Sequence, residues 1–173
     1  MILIEILIKI LLQKTINIRV ILFLIMEKVA EVFGVFAAPS VMGLSPVVVL
    51  RSEDGRYLPI YIGISEAMAI HSALKNRIMS RPMTHDLMAE ILKKLRTKIN
   101  KIIIDDLVDN TFYARIILKQ NDHEIELDAR PSDSIAMAVR MACPIYIDEK
   151  VLDEAGQEEE LSSEFVEFDQ IVQ

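Results

Sequence analysis

From Lys28 onward the apolar positions alternate between two rhythms. In VAEVFGVFA, SPVVVLRS and RYLPIYIG they recur every second residue or gather in short blocks, which is how strands read. Asp54-Gly55 joins the second and third of these as a hairpin turn. The period then lengthens to that of a helix in SEAMAIHSALKN, with Ser65 placed to cap its start and Asn76 near its end. After Arg81-Pro82, Thr84 is placed to cap a second helix. Leu87, Met88, Ile91, Leu92 and Leu95 form the apolar stripe expected to face the core. Three further strands, KIIIDDLV, TFYARIILKQ and HEIELDA, follow, with tight turns at Asp109-Asn110 and Asn121-Asp122. Ser132 is expected to cap a third helix, which Pro144 ends before the short strand PIYI.

The order β-β-β-α-α-β-β-β-α-β predicts an α+β fold. It describes a single domain over residues 26–152, a mixed sheet with about three helices on one face. The stretch EAGQEEELSSEFVEFDQ is acidic and weakly patterned, so residues 153–173 are expected to form a mobile or loosely docked tail.

Residues 1–25 do not fit this scheme. They are mostly aliphatic, but four charges interrupt them, and the longest unbroken apolar run is the seven residues from Val20 to Met26. A membrane-spanning helix needs about 20 apolar residues, and a cleavable leader wants its positive charge ahead of an uninterrupted apolar core. The preferred reading takes Met26 as the native first residue. A packed extra element and an amphipathic surface anchor are the alternatives.

Charge divides along the chain. The formal net charge is −7, but ten acids stand against Lys150 alone in residues 148–173, whereas residues 26–147 are neutral. A neutral domain argues against broad, sequence-independent binding to long nucleic acids, which leans on a basic face. It leaves room for a small basic pocket. The single cysteine, Cys143, excludes an internal disulfide and reads as a small core filler. Without a disulfide framework or a cleavable leader, the cytoplasm is the expected compartment.

The candidate chemistry lies at the helix starts. Each helix opens with a hydroxyl followed closely by an acid: Ser65-Glu66, Thr84-His85-Asp86 and Ser132-Asp133. Capping and the helix dipole are a complete explanation in themselves. Two starts carry more, because RPMTHDL and RPSDSIA both place Arg-Pro just upstream of the hydroxyl. A proline stiffens the approach and holds Arg81 or Arg130 near a helix mouth. Free N–H donors plus a guanidinium suit an anion, most naturally phosphate. Asp86, Asp128 and Asp133, with His85, could hold a divalent cation bridging to it.

Other polar residues are weaker candidates. Asp105 and Asp106 are adjacent in a strand, so their side chains face opposite ways. His71 reads as a packed histidine and His123 as a solvated turn residue. Met68, Met88, Met137 and Met141 read as core filler.

Taken together, SPVVVLRSEDGRYLPIYIGISEAMAI, RPMTHDLMAEIL and DARPSDSIAMAVR followed by PIYI resemble the bifunctional nuclease (BFN) domain, over roughly Glu27 to Leu152. The resemblance implies a compact α+β domain, commonly oligomeric, with the DNase and RNase activity that gives the family its name. It marks Glu66, Arg81, Thr84, His85, Asp86, Asp128, Arg130, Ser132 and Asp133. Some members continue into a UVR-type helical segment that could contact a partner, where this chain has its acidic tail.

Two functions follow as expectations. In the first, a metal-assisted nuclease cleaves single-stranded RNA or DNA. Asp86, Asp128 and Asp133 bind magnesium or manganese, Arg81, Thr84, Arg130 and Ser132 hold the phosphate, and His85, Asp86, Asp133 and Glu66 carry the chemistry. The scarcity of aromatics, with no Trp and four Tyr, argues against tight stacking on bases. In the second, a non-catalytic oligomeric module binds an anionic ligand or a protein partner. Carboxylates converging within about 5 Å would favour the enzyme; Arg–Asp pairs closing both helix mouths would favour the module. Either way a homo-oligomer is expected, and no membrane unless residues 1–25 are expressed.

Overall fold

The computed structural model describes residues 26–41, 43–77, 79–158 and 164–171. The readings made for residues 1–25 lie outside them. In chain order the elements are β1 (Glu27–Ser40), β2 (Gly43–Ser52), β3 (Tyr57–Tyr61), α1 (Ile64–Leu74), α2 (Thr84–Lys94), β4 (Lys98–Val108), β5 (Thr111–Gln120) and β6 (His123–Ala129). These are followed by α3 (Pro131–Met141), β7 (Ile145–Asp148), α4 (Glu149–Ala155), β8 (Val166–Glu167) and a 3-10 turn (Phe168–Gln170). Seven strands run β3-β2-β1-β7-β4-β5-β6 across one sheet, and β8 adds to β1. All neighbours are antiparallel except β4 and β7. The α+β reading is therefore correct, down to the mixed sheet.

The turns follow from their residues. Asp109 and Asn110 both take positive φ, 50° and 60°, the pair of values a two-residue hairpin requires. Helix α3 carries the chain from edge strand β6 back to β7 in the middle of the sheet. That crossover fixes where α3 begins, and with it the candidate site.

Alternation along β2 divides two cores. Val48 and Leu50 join Leu58, Ile70, Ile102, Ile104, Ile135 and Met137 in the main cluster, which takes residues from all four helices. Val47 and Val49 point the other way, into a small cluster with Ala38 and Tyr57, against which Phe36 and Phe165 pack. Each fully buried aliphatic side chain of the main core stabilises by roughly 1.5–3 kcal/mol. None of the described helices is long and apolar enough to cross a membrane.

Four expectations need correction. The three hydroxyls are not caps: the N-cap residues are Gly63, Met83 and Arg130, and Ser65, Thr84 and Ser132 lie inside the first turns. Pro131 at the first helical position explains the offset in α3, since its missing N–H costs nothing there. Secondly, the stripe of α2 faces outward. Leu87, Met88, Ile91 and Leu95 are 55%, 41%, 47% and 58% exposed; only Ala89 is buried, and Leu92 packs on the core. Periodicity reports which face is apolar, not what covers it, and α2 lies at the rim, its last carbonyl (Leu95) accepting from Gln120 Nε2 at 3.2 Å. Met88 is thus surface, whereas Met137 is core. Thirdly, residues beyond 148 include α4, which caps itself with Asp148 accepting from Lys150 N–H at 3.0 Å. Finally, Phe168 is buried, so this part of the acidic segment packs on the domain.

Cys143 packs partly buried against the core, and burial pushes its thiol up to about 11, which leaves it inert.

Candidate active site

Helices α1 and α2 both pack against α3, so their starts meet. Glu66 comes from the first turn of α1, His85 from that of α2, and Asp133 from that of α3, whose N-cap is Arg130. The four side chains form one chain of contacts. Arg130 Nη1 donates to Glu66 Oε1 at 3.0 Å. Its Nε and Nη2 donate to Asp133 Oδ2 and Oδ1 at 2.7 and 3.1 Å. His85 Nε2 lies 3.0 Å from Asp133 Oδ1. Burial pushes the Asp133 carboxyl up, but the Arg130 and His85 hydrogen bonds more than offset it and hold the group below its ordinary value.

Arg130 and Glu66 line an open cleft of about 440 Å³, with Tyr61, Phe112 and Ser132 on its walls. The Arg130 side chain is 64% exposed, while Glu66, Asp133 and His85 are mostly covered, at 22%, 28% and 12%. The cleft thus presents the guanidinium, with Glu66 beside it and the His85–Asp133 pair behind.

Asp86 is turned elsewhere. Its Oδ1 accepts from Arg140 Nε at 2.6 Å and its Oδ2 from the Met83 backbone N–H at 2.9 Å. Arg140, 9% exposed, also donates to the Ala69 and Ala136 carbonyls, at 3.0 Å each. The Arg140 guanidinium, and then the Met83 N–H, holds the Asp86 carboxyl below its ordinary value. Arg140 was not singled out in the sequence, although it closes the DARPSDSIAMAVR stretch. The signal was an arginine ending a run of small apolar residues, where neighbouring alanines leave space for a buried guanidinium.

The other marked residues do not join the cluster. Asp128 is exposed on β6, opposite Arg115 on β5. Arg81 is exposed in the loop before α2, and no hydrogen bond ties it to another described residue. Thr84 is exposed, and Ser132 is buried at the cleft wall. Among the described residues no group of three or more His, Cys, Asp or Glu side chains is placed to hold a metal. The acids named for one are spread over separate partners, so the residues do not fit a preformed ion cage. Asp105 and Asp106 also part, toward Arg115 and Lys150. His71 is buried and bonded to Asp169, and His123 is exposed.

Comparison with known proteins decides the family. The model of the bifunctional nuclease domain matches residues 48–160, which contain the whole cluster. This chain belongs to that family. An uncharacterized protein of Mycobacterium tuberculosis is 46% identical over 112 residues, 64% of this chain and 66% of that protein. Bifunctional nuclease 2 of rice is 32% identical over 107 residues, 59% of this chain and 33% of that protein. Bifunctional nuclease 1 of Arabidopsis thaliana is 29% identical over 107 residues, with the same shares. The BFN chain thus spans just under two thirds of the mycobacterial relative and one third of the plant ones.

Proposed function

We propose that this BFN domain is a cytoplasmic nuclease that hydrolyses phosphodiester bonds of RNA or DNA at the cleft beside Arg130. The reading rests on one observation: the starts of α1 and α3, with an exposed guanidinium and a carboxylate, line the mouth of an open cleft, and the start of α2 stands behind them through His85. Helix starts favour an anion. The ion pairs of a well-exposed arginine are worth only about 0–1 kcal/mol each, so a phosphate can displace them and take the bidentate donors of Arg130. Glu66, on the cleft wall, is then freed from Arg130 and accepts the proton of the attacking water. His85, named from the sequence as the acid or base, stands behind Asp133. It is a positioning residue that orients Asp133, which in turn holds Arg130. No step is assigned to a metal.

The test is cleavage of single-stranded RNA and DNA by the full chain, with magnesium, with manganese and with chelator, alongside Glu66→Gln, Arg130→Ala and, as control, His123→Gln. Cleavage should fall in the first two and persist in the third; equal cleavage by all would remove the cluster from the reaction. The chelator arm decides whether an ion enters with the substrate.

A second reading is favoured by the pairing itself. Asp86–Arg140 and Arg130 with its two carboxylates close both helix mouths, as a non-catalytic anion-binding module would. That reading gives no turnover, together with phosphate binding that Arg130→Ala abolishes.

A further inference from the structure

The outward stripe of α2 meets a second uncovered apolar surface. On β6, Leu127 and Ile125 are 43% and 41% exposed. Their partners across β5 are Ile116 and Leu118, both buried in the main core. Directly paired residues share a face, so Leu127 and Ile125 lie on the face that the helices cover, beyond their reach. The stripe runs beside them: Gln120, next to the β5–β6 turn, donates to Thr97 Oγ1 at 2.9 Å and to Leu95 O. One chain therefore carries a helical ridge without a groove and a sheet shelf without a helix.

We infer that these two surfaces join two copies of this chain, the α2 ridge of each lying on the β6 shelf of the other. The arrangement is isologous and closes as a two-fold dimer. The six half-exposed side chains offer on the order of 500 Å² per copy, at the upper end of what a monomer exposes. Two copies together reach about 1,000 Å², the lower bound of a specific interface. The shelf itself is uncharged, because Glu124, Glu126 and Asp128 alternate with Ile125 and Leu127 and so face the other side of the sheet. The same acids oppose edge-to-edge pairing: antiparallel β6 strands would set carboxylates against one another.

The experiment is sedimentation equilibrium on the full chain, wild type, Ile91→Lys and Leu127→Glu, with circular dichroism to verify folding at these exposed positions. The wild type is expected to dimerise at micromolar concentration, and each variant alone to weaken association by roughly a hundredfold, as for a central interface residue. An equimolar mixture should dimerise again. In the mixed pair one contact is wild type and the other sets the new lysine against the new glutamate. A monomeric wild type, or variants that associate unchanged, would overturn the inference. So would a mixture that stays monomeric, because the ridge would then meet a second ridge, or another partner, instead of the shelf.

Discussion

The Glu66 carboxylate folds back over Gly63, so close that a Cβ on the glycine would collide with it. Gly63 has φ −75°, which any residue adopts, so its lack of a side chain matters for space and not for backbone freedom. What a methyl group would strike is the free end of a flexible side chain, which can turn away. Gly63→Ala is therefore expected to leave the melting temperature nearly unchanged while moving Glu66 off Arg130. Nuclease turnover should fall as far as in Glu66→Gln, by about 10²–10⁴-fold for a lost general base. Unchanged turnover in both variants would mean that Glu66 only anchors Arg130.

In the proposed reaction His85 acts through Asp133, which it contacts at 3.0 Å, and that role differs measurably from catalysis. His85→Gln keeps an amide N–H that can still donate to Asp133 Oδ1 but removes the proton-transferring imidazole, so it should change kcat little and raise KM at most modestly. The double variant His85→Gln with Asp133→Asn should be no worse than Asp133→Asn alone, because residues acting as a unit are not additive. A kcat loss of two or more orders in His85→Gln would return the histidine to the reaction itself.

Arg140 makes the start of α2 sensitive to acid. Asp86→Asn takes the negative partner from a well-covered guanidinium. With Asp86 itself 37% exposed, the cost is about 1–2 kcal/mol, below the value for a fully buried charged bond. The Asp86 carboxyl is held below its ordinary value, so its contribution is complete above the unfolded value near pH 4. It is lost as pH falls through the folded one. Urea unfolding of both proteins should show this gap at pH 7 and convergence once Asp86 is protonated. A gap that persists in acid would assign the effect to packing.

Much of this fold was legible because local chemistry decides it. Asp109-Asn110 can hardly be anything but a tight turn, and the alternation in SPVVVLRS divides two cores by itself. The resemblance of three motifs marked nine residues, of which the structure joins Glu66, His85, Arg130 and Asp133 in one chain of contacts. What stayed hidden was tertiary. The stripe of α2 looked like a core face because a sequence does not say what lies opposite it. Arg140 went unnoticed because its partner is 54 residues away. Arg81 looked equivalent to Arg130, yet its Arg-Pro pair sits in the loop just ahead of the N-cap Met83, whereas Pro131 begins the helix and makes Arg130 the cap.

Ala142 ends α3 in the left-handed conformation, φ 50° and ψ 43°, where a Cβ costs roughly 1–2 kcal/mol. Ala142 is exposed, so a glycine there loses no packing. Ala142→Gly should stabilise by about 0.5–1 kcal/mol after the entropy of the unfolded glycine is counted. At this chain length that is a rise of about 1–4 °C in Tm. A lower Tm would show that the strain at this cap is already relieved.

Phe168 tests whether the acidic segment belongs to the fold. Its ring is buried and meets His71 edge-on, with centroids 5.4 Å apart, while Asp169 beside it pairs with Lys75 at 3.0 Å and His71 at 2.7 Å. Two residues earlier, Val166 pairs with Ala37 of β1. Emptying such a site costs about 3–5 kcal/mol if the surroundings stay fixed. Here the strap can instead peel away, which caps the loss at the free energy of its own docking. Phe168→Ala should therefore lower global stability by less than the full cavity value, while the amides of Val166 and Glu167 lose most of their protection from hydrogen exchange. If those amides stay protected and global stability falls by the full amount, the strap is an integral strand, unable to open without the whole domain.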